Sequence, residues 1–381
     1  MLLAWLLVVA QGAQLAQDGL KTLPGRKYEA TNYLKVAEAY ASANHATALL
    51  EIRQWKPSEI KAAVSDLRGR GDRVRAFATG PDDIAFGTVE AAVLMHAEAG
   101  LLALQALRPE EGELHLRTST DLYEWSRQVA ARSRNFARMR KSLDEQHGRP
   151  TPGPAIRESI DRVDFYESLA ATALALGFPD TARPFAERAR QEDPLNAEVQ
   201  LVFGCVAESL AEERILMHRA AEAEPLRGQA DRAYRDALAL DPGRHEARLH
   251  LGRLLVVAGR LVEAEPALEE VERTSADDRQ RYLARLFLGR LAERRGRPNE
   301  AARGYARALE GWPDSQAARI ALAHTLEKEY GPAAALPIVA ATLSASRRLD
   351  RVADPWWLYP FGPPGLAGAA LARVWSRALG R

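Results

Sequence analysis

The sequence predicts an all-α protein built as a solenoid of antiparallel helix pairs. A large apolar residue followed by a small residue recurs along the C-terminal half of the chain, as expected for stacked repeats. Alternating runs of β-branched and aromatic residues, which would indicate strands, do not occur. The composition, with 47% hydrophobic and 27% charged residues, is that of a folded chain rather than a disordered one.

The recurring two-residue motif marks the first helix of each predicted unit. Its copies are Leu169-Ala170, Phe203-Gly204, Leu251-Gly252, Leu288-Gly289 and Leu322-Ala323. The spacings between them are 34, 48, 37 and 34 residues, and a period of about 34 residues is typical of stacked helix pairs. The longer second spacing predicts an insertion that lengthens the helices of that unit.

Glycine, alanine and proline at constant offsets predict where each pair turns and ends. Glycines eight positions after the motif suit the left-handed backbone that ends a helix: Gly177, Gly259 and Gly296. Small residues thirteen positions after it let the second helix approach closely: Ala182, Ala264, Ala301 and Ala335. Prolines then separate one pair from the next: Pro194, Pro242 and Pro313.

This pattern resembles the tetratricopeptide repeat. The unit from Leu288 to Pro313 carries the residues of that repeat in order: Leu288, Gly289, Gly296, Ala301, Tyr305, Ala308 and Pro313. The unit from Leu251 to Val271 is another good copy. The resemblance implies a right-handed superhelical solenoid whose first helices line a concave groove, and a protein or peptide as the partner.

Four regions are predicted along the chain. Residues 158–346 form an array of about five repeat units, and residues 28–146 form divergent helices of the same kind. Residues 1–16 read as a signal peptide, because an apolar run from Leu2 to Ala10 precedes small residues. Export to the periplasm or the medium is therefore expected, although no Lys or Arg precedes the run, and the alternative is the apolar strip of a buried helix. The run is too short to span a membrane, and no later segment is a candidate span.

Residues 347–381 contain an aromatic, proline-rich segment and a C-terminal helix. The aromatic residues of this segment are Trp356, Trp357, Tyr359 and Phe361. A solenoid exposes the apolar face of its last repeat unless something covers it. We therefore interpret the segment as a cap on that face, and the alternative is a docking site for a partner.

Several functional classes are disfavoured. The net charge of +1 offers no general field for nucleic acid, and Cys205 is the only cysteine, so no disulfide can form within the chain and no cysteine-built zinc site can exist. The HExxH, GxSxG, Walker and GxGxxG motifs are missing. We expect a non-enzymatic interaction scaffold without metal or cofactor. The alternatives are an accessory subunit or helical domain that supports an enzyme, and a self-assembling structural protein.

The resemblance also implies a set of partner-contacting residues on the first helices, two, five and six positions after the leucine and nearby. These are Arg253, Arg290, Glu293, Arg294, His324, Glu327 and Lys328. Because a guanidinium group can hold a carboxylate with two hydrogen bonds, an acidic segment or a free C-terminus is the expected ligand. The alternative interpretation is ordinary surface charge.

Overall fold

The computed structural model of the protein describes residues 160–345, 354–363 and 366–378, and, upstream, residues 93, 96–97, 100–101, 103–104, 108–121, 123–124 and 127. The predicted signal peptide, residues 1–16, lies outside the described residues. The chain divides into two compact units, Met1–Phe165 with Leu371–Arg381, and Tyr166–Ala370. The repeat motifs fall in the second unit.

Residues 162–345 consist of ten helices joined by short turns. They are α1 (Arg162–Ala175), α2 (Pro179–Glu192), α3 (Ala197–Leu216), α4 (Ala220–Leu240), α5 (His245–Val257), α6 (Leu261–Thr274), α7 (Asp278–Arg294), α8 (Pro298–Gly311), α9 (Gln316–Tyr330) and α10 (Pro332–Ala345). A short helix α11 (Pro355–Leu358), a 3-10 turn (Tyr359–Phe361) and α12 (Leu366–Ala378) follow. The described residues include no strand, and the predicted all-α solenoid class is confirmed.

A residue with a positive φ angle ends the first helix in each of the first four pairs. Gly177, Gly259 and Gly296 have φ angles of 86°, 77° and 69°, which confirms the predicted caps. In the second pair His218 occupies this place with a φ of 59°. At Gly259 the glycine N–H donates to the Val256 carbonyl at 3.1 Å, and the next N–H, from Arg260, donates to the Leu255 carbonyl at 2.9 Å. These bonds satisfy carbonyls at the end of α5.

The turns between pairs are held by a repeated side-chain bond. Helices α2, α4 and α8 end two residues before Pro194, Pro242 and Pro313. A side chain six residues after each proline donates to the proline carbonyl: Gln200 to Pro194 at 2.7 Å, Arg248 to Pro242 at 2.5 Å and Arg319 to Pro313 at 2.5 Å. Each bond ties the first turn of a new pair to the end of the preceding one.

Within a pair, the glycine of the motif receives a large side chain from the second helix. A Cβ built at Gly204 would lie 2.5 Å from the ring of Tyr234 on α4, and one at Gly289 would lie 2.5 Å from the ring of Tyr305 on α8. Gly252 meets Leu268 on α6 in the same way. This packing sets the distance between the two helices of each pair, because any side chain at the glycine would force them apart.

The upstream unit contains a helix pair of its own. Helical residues between 93 and 104 pack against residues 109–121, and Gly100 and Gly112 are each in close contact with a leucine of the opposite helix. His96 and His115 lie with their Nδ1 atoms 3.1 Å apart, and burial holds the pKa of His96 at about 3. This pair lacks the full repeat motif but uses the same small-to-large packing.

Replacing Gly289 with alanine should lower the free energy of unfolding by about 1–3 kcal/mol, because the added methyl group overlaps the buried Tyr305 ring. Gly228 on α4 is a matched control, since a Cβ there meets only the Arg232 side chain at 3.8 Å. Gly228→Ala should raise stability by about 0.5–1 kcal/mol through its helix preference. Denaturant unfolding measures both variants, and a loss of similar size in both would contradict the packing argument.

Candidate functional site

A buried carboxylate lies between α3 and α5, the first helices of the second and third pairs. Glu208, on α3, is 4% exposed. Its oxygens accept hydrogen bonds from Arg253 Nη1 on α5 at 2.6 Å and from the Tyr234 hydroxyl on α4 at 2.7 Å, and they pair with His250 Nδ1 on α5 at 2.7 Å. We call these four residues the Glu208 cluster. The cluster joins the second and third helix pairs, because Arg253, His250 and Tyr234 all bind the Glu208 carboxylate.

Further polar groups extend the Glu208 cluster along α5 and α7. His250 Nε2 lies 3.8 Å from the Cys205 sulfur and 3.5 Å from Glu246 Oε1. Glu246 in turn accepts from Gln280 Nε2 at 2.6 Å and is bonded to Arg279, both on α7. Opposite charges therefore alternate across three first helices that lie side by side.

The protonation states follow from these contacts. Burial would raise the pKa of Glu208, but the neighbouring His250 and Arg253 cations and the Tyr234 hydroxyl hold it at about 2. Burial would lower the pKa of His250, yet the Cys205 sulfur and the Glu208 carboxylate raise it well above its ordinary value. Glu246 likewise has a pKa of about 2, because His250 and Arg279 outweigh its burial. The site therefore carries carboxylates and an imidazolium at neutral pH.

The segment Asp354–Phe361, here called the aromatic segment, covers this cluster. The Tyr359 hydroxyl donates to the Glu208 oxygens at 3.2 and 3.4 Å, and its ring stacks on His250 with a centroid distance of 4.4 Å. The Arg253 guanidinium lies 5.0 Å from the Tyr359 ring centre and 5.5 Å from that of Trp356. Phe287 on α7 meets both rings edge-on, at 5.5 and 5.8 Å. Cation–π and aromatic contacts thus hold the segment against α3, α5 and α7.

Asp354 anchors the start of the aromatic segment. Its carboxylate accepts from the Tyr282 hydroxyl, the Ser315 hydroxyl and the Ala317 backbone N–H, each at 2.9 Å. Ser315 also caps α9 by accepting from Ala318 N at 2.9 Å. The carboxylate therefore sits at a helix N-terminus, where the unpaired N–H groups and the helix dipole favour negative charge.

The helix pairs, their glycine caps and the repeated packing of small against large residues are those of the tetratricopeptide repeat, and residues 227–286 match that family. This part of the chain is a tetratricopeptide repeat region. A tetratricopeptide fold supports a protein-interaction scaffold. Among curated proteins, no sequence matches the chain.

Several solved structures resemble the tetratricopeptide array. MamA from Desulfovibrio magneticus RS-1, residues 41 to the end, is 17% identical with a TM-score of 0.41, and the match covers 51% of this chain and all of that one. PilF from Pseudomonas aeruginosa is 22% identical with a TM-score of 0.41, over 48% of this chain and 76% of that one. PilW, described as a type IV pilus biogenesis factor, is 20% identical with a TM-score of 0.42, and the match covers 57% of this chain and 88% of that one.

The aromatic segment does not lie where a cap on the last repeat would lie. Trp356 and Tyr359 contact α3, α5 and α7, whereas Leu336 and Val339 on α10 stay 64% and 41% exposed. The physical reason is the anchor at the α9 N-terminus together with the buried Glu208, which direct the segment back along the first helices. The side chains of Trp357 and Phe361 lie outside the described residues.

Of the seven predicted groove residues, Arg253 is buried and the other six are partly or fully exposed. The offset from Leu251 predicts an exposed Arg253, but Arg253 is only 8% exposed, because it pairs with Glu208 and, at 3.2 Å, with Glu212. Arg290 and Arg294 are exposed on α7, and Arg290 pairs with Glu293 at 2.7 Å. Glu293 also accepts from Thr325 on α9 at 2.9 Å. The remaining three predicted residues are exposed on α9: His324, Glu327 and Lys328.

Glu208 and Cys205 were detectable from the sequence. They stand five and two positions after Phe203, the same offsets that select Arg253 and the α7 residues. His250 carried no such signal, because its offset falls outside the rule, and Tyr359 contacts Glu208 across 151 residues. Periodicity within repeats could not predict that contact.

Cys205, His250 and Glu208 stand in the order that activates a thiol for nucleophilic attack. All three lie in the middle of α3 and α5, however, where the backbone N–H groups bond within the helices and offer no oxyanion donors. Two surface cavities, of about 590 and 610 Å³, lie elsewhere, one beside Leu195 and Leu240 and the other beside Pro266 and Arg307. The geometry favours a role in holding the aromatic segment.

No helix among the described residues has the length and apolarity that a membrane span needs.

His250 should make stability depend on pH. Because its pKa is raised in the folded state, its contribution is complete below the ordinary value of 6.5 and is lost as the pH rises through the folded pKa. The free energy of unfolding should therefore fall above pH 6.5 by up to about 1.4 kcal/mol per pH unit. His250→Gln should abolish this slope and cost on the order of 3 kcal/mol at pH 6.

Urea unfolding between pH 5.5 and 9 measures the slope. His324→Gln, at an exposed position on α9, is the matched control and should retain the wild-type slope. Parallel pH profiles for wild type and His250→Gln would contradict a protonated His250 in the folded protein.

Proposed function

We propose that this protein is an interaction scaffold that binds a protein or peptide partner on the surface formed by α3, α5, α7 and α9, the first helices of four repeats. We call this surface the inner surface. The observation that supports the proposal is that the inner surface already holds a short segment of this chain through specific side-chain contacts. A surface that anchors Asp354, Trp356 and Tyr359 has the groups needed to recognise a peptide.

The partner that we propose carries a carboxylate, either on an acidic side chain or at its C-terminus. Two features support this chemistry. Asp354 is held by two hydroxyls and a backbone N–H at the α9 N-terminus, so the surface accommodates one carboxylate already. Arg290 and Arg294 on α7 are exposed, and an arginine fork can receive another. His324, Glu327 and Lys328 extend the same charged surface on α9.

The test replaces Arg290 and Arg294 together with glutamate and measures affinity for a partner recovered with the tagged chain from its native host. Each charge-assisted hydrogen bond contributes about 1.5–3 kcal/mol, so affinity should fall by well over tenfold. Titration calorimetry gives the dissociation constants.

A double variant on the second helices provides the control. Arg232 on α4 and Arg303 on α8 are also exposed, so Arg232→Glu with Arg303→Glu changes the net charge equally. Binding by this control should match wild type. Equal losses in both double variants would indicate general electrostatic attraction, and unchanged affinity in the Arg290 and Arg294 variant would contradict the proposed contact.

Export is a further part of the proposal, and the apolar run from Leu2 to Ala10 supports it. The mature protein from its native host should lack about twelve N-terminal residues, because small residues follow the run at a spacing that suits signal peptidase. Intact-mass measurement checks this. A protein that retains Met1 and fractionates with the cytoplasm would contradict export.

A second candidate function is a helical domain that supports an enzyme, and the ordered contact of Cys205, His250 and Glu208 is the observation that favours it. In that case the aromatic segment would cover reactive groups rather than occupy a peptide site. We favour the scaffold, because every charge in the Glu208 cluster already has an opposite partner within the protein.

A further inference from the structure

We propose that the aromatic segment is a ligand of its own inner surface, and that the partner is a protein segment of the same chemistry that binds by replacing it. That chemistry is an acidic residue followed by a tryptophan two positions later and a tyrosine five positions later. The inference rests on the proposed function, since it specifies the ligand of the same surface.

The aromatic segment is held as a peptide ligand is held, by a few anchor side chains. Asp354 occupies the α9 N-terminus, Trp356 contacts Arg253 and Phe287, and Tyr359 reaches Glu208. Together these anchors contact α3, α5, α7 and α9. A four-residue helix and a 3-10 turn supply the rest of the segment.

Each anchor site selects a type of side chain. Glu208 accepts the tyrosine hydroxyl, so a phenylalanine would stack on His250 but would lose that hydrogen bond. The donors around Asp354 require an acceptor with two oxygens, since Tyr282 donates to one oxygen and Ser315 and Ala317 donate to the other. Arg253 beneath Trp356 favours an aromatic face through cation–π attraction.

The inner surface tolerates departure of the segment, because the Glu208 cluster is balanced without it. When Tyr359 leaves, Glu208 keeps Arg253, His250 and Tyr234 as partners, so no buried carboxylate is left alone. Ser315 likewise keeps its own cap on Ala318. Replacement of the segment by an external ligand therefore leaves no unpaired charge in the Glu208 cluster.

The first experiment uses a labelled peptide with the sequence of residues 354–362, DPWWLYPFG, as the probe. The full chain with Trp356→Ala and Tyr359→Ala has a weakened internal ligand and should bind this peptide. Wild type should bind it at least tenfold more weakly, because a tethered competitor acts at an effective concentration of about 1 mM. The same peptide with phenylalanine in place of its tyrosine should bind the variant several-fold more weakly. Fluorescence anisotropy gives the affinities.

The second experiment uses Cys205, the only cysteine in the sequence, as a reporter of opening. It is 3% exposed beside His250, whose ring Tyr359 covers. The double variant should react with a maleimide at least tenfold faster than wild type, and a saturating concentration of unlabelled peptide should restore slow reaction. Tyr330→Ala removes an exposed tyrosine of α9 and should react like wild type.

Circular dichroism first establishes that each variant is folded, and Tyr359→Phe serves if the double variant is not. This single change keeps the stacked ring and should give a smaller rise in both peptide binding and Cys205 reactivity. A folded variant that neither binds the peptide nor reacts faster would overturn the inference while leaving the Arg290 and Arg294 test of the scaffold unaffected. A dimeric wild type that becomes monomeric when the segment is mutated would also overturn it, because the ligand would then come from a second copy.

Discussion

Placing a charged carboxylate inside a stack of helices is the constraint on which the centre of this array depends. An unpaired Glu208 would cost several kcal/mol, so the surrounding helices must supply counter-charges with close geometry. Arg253 and His250 come from the next repeat, and Tyr234 comes from the partner helix of the same repeat. The aromatic segment adds a fourth donor from the end of the chain. The positions of α3, α4 and α5 are therefore coupled by one polar centre rather than by apolar contact alone.

The apolar packing of the repeats prepares this arrangement. Gly204 lets Tyr234 approach α3 closely, and the same tyrosine carries the hydroxyl that reaches Glu208. The aromatic ring thus spaces the two helices, while its oxygen contributes to the Glu208 cluster. Gly289 and Tyr305 repeat the spacing in the fourth pair, and the pKa of Tyr305 is raised by burial and by the nearby Glu293. The second-helix residue that packs on the motif glycine can therefore set the helix spacing and, as at Tyr234, also donate a hydrogen bond to a buried carboxylate.

The repeat architecture followed from sequence because its determinants are local and periodic. The glycines at 177, 259 and 296 and the prolines at 194, 242 and 313 adopt the predicted places, since each satisfies a backbone requirement within a few residues. The 48-residue spacing predicted longer helices in the second unit, and α3 and α4 have 20 and 21 residues. The burial of Arg253 and the location of Tyr359 were not predictable in this way. Both depend on Glu208 meeting residues from other repeats and from a distant segment, which no single-repeat pattern encodes.

The separation of 151 residues between Glu208 and Tyr359 bears on how the array folds and unfolds. Repeat arrays are quasi-one-dimensional, so their units can form and melt almost independently, with rates set by local contacts. Here one segment touches α3, α5, α7 and the start of α9, which closes a large loop over four consecutive repeats. Because closing that loop costs entropy, we expect this contact to form late in folding. Once formed, the contacts of the aromatic segment should join the second to fifth repeats into one cooperative block. Unfolding that starts at α10 and reaches α9 then has to break the contacts of Asp354.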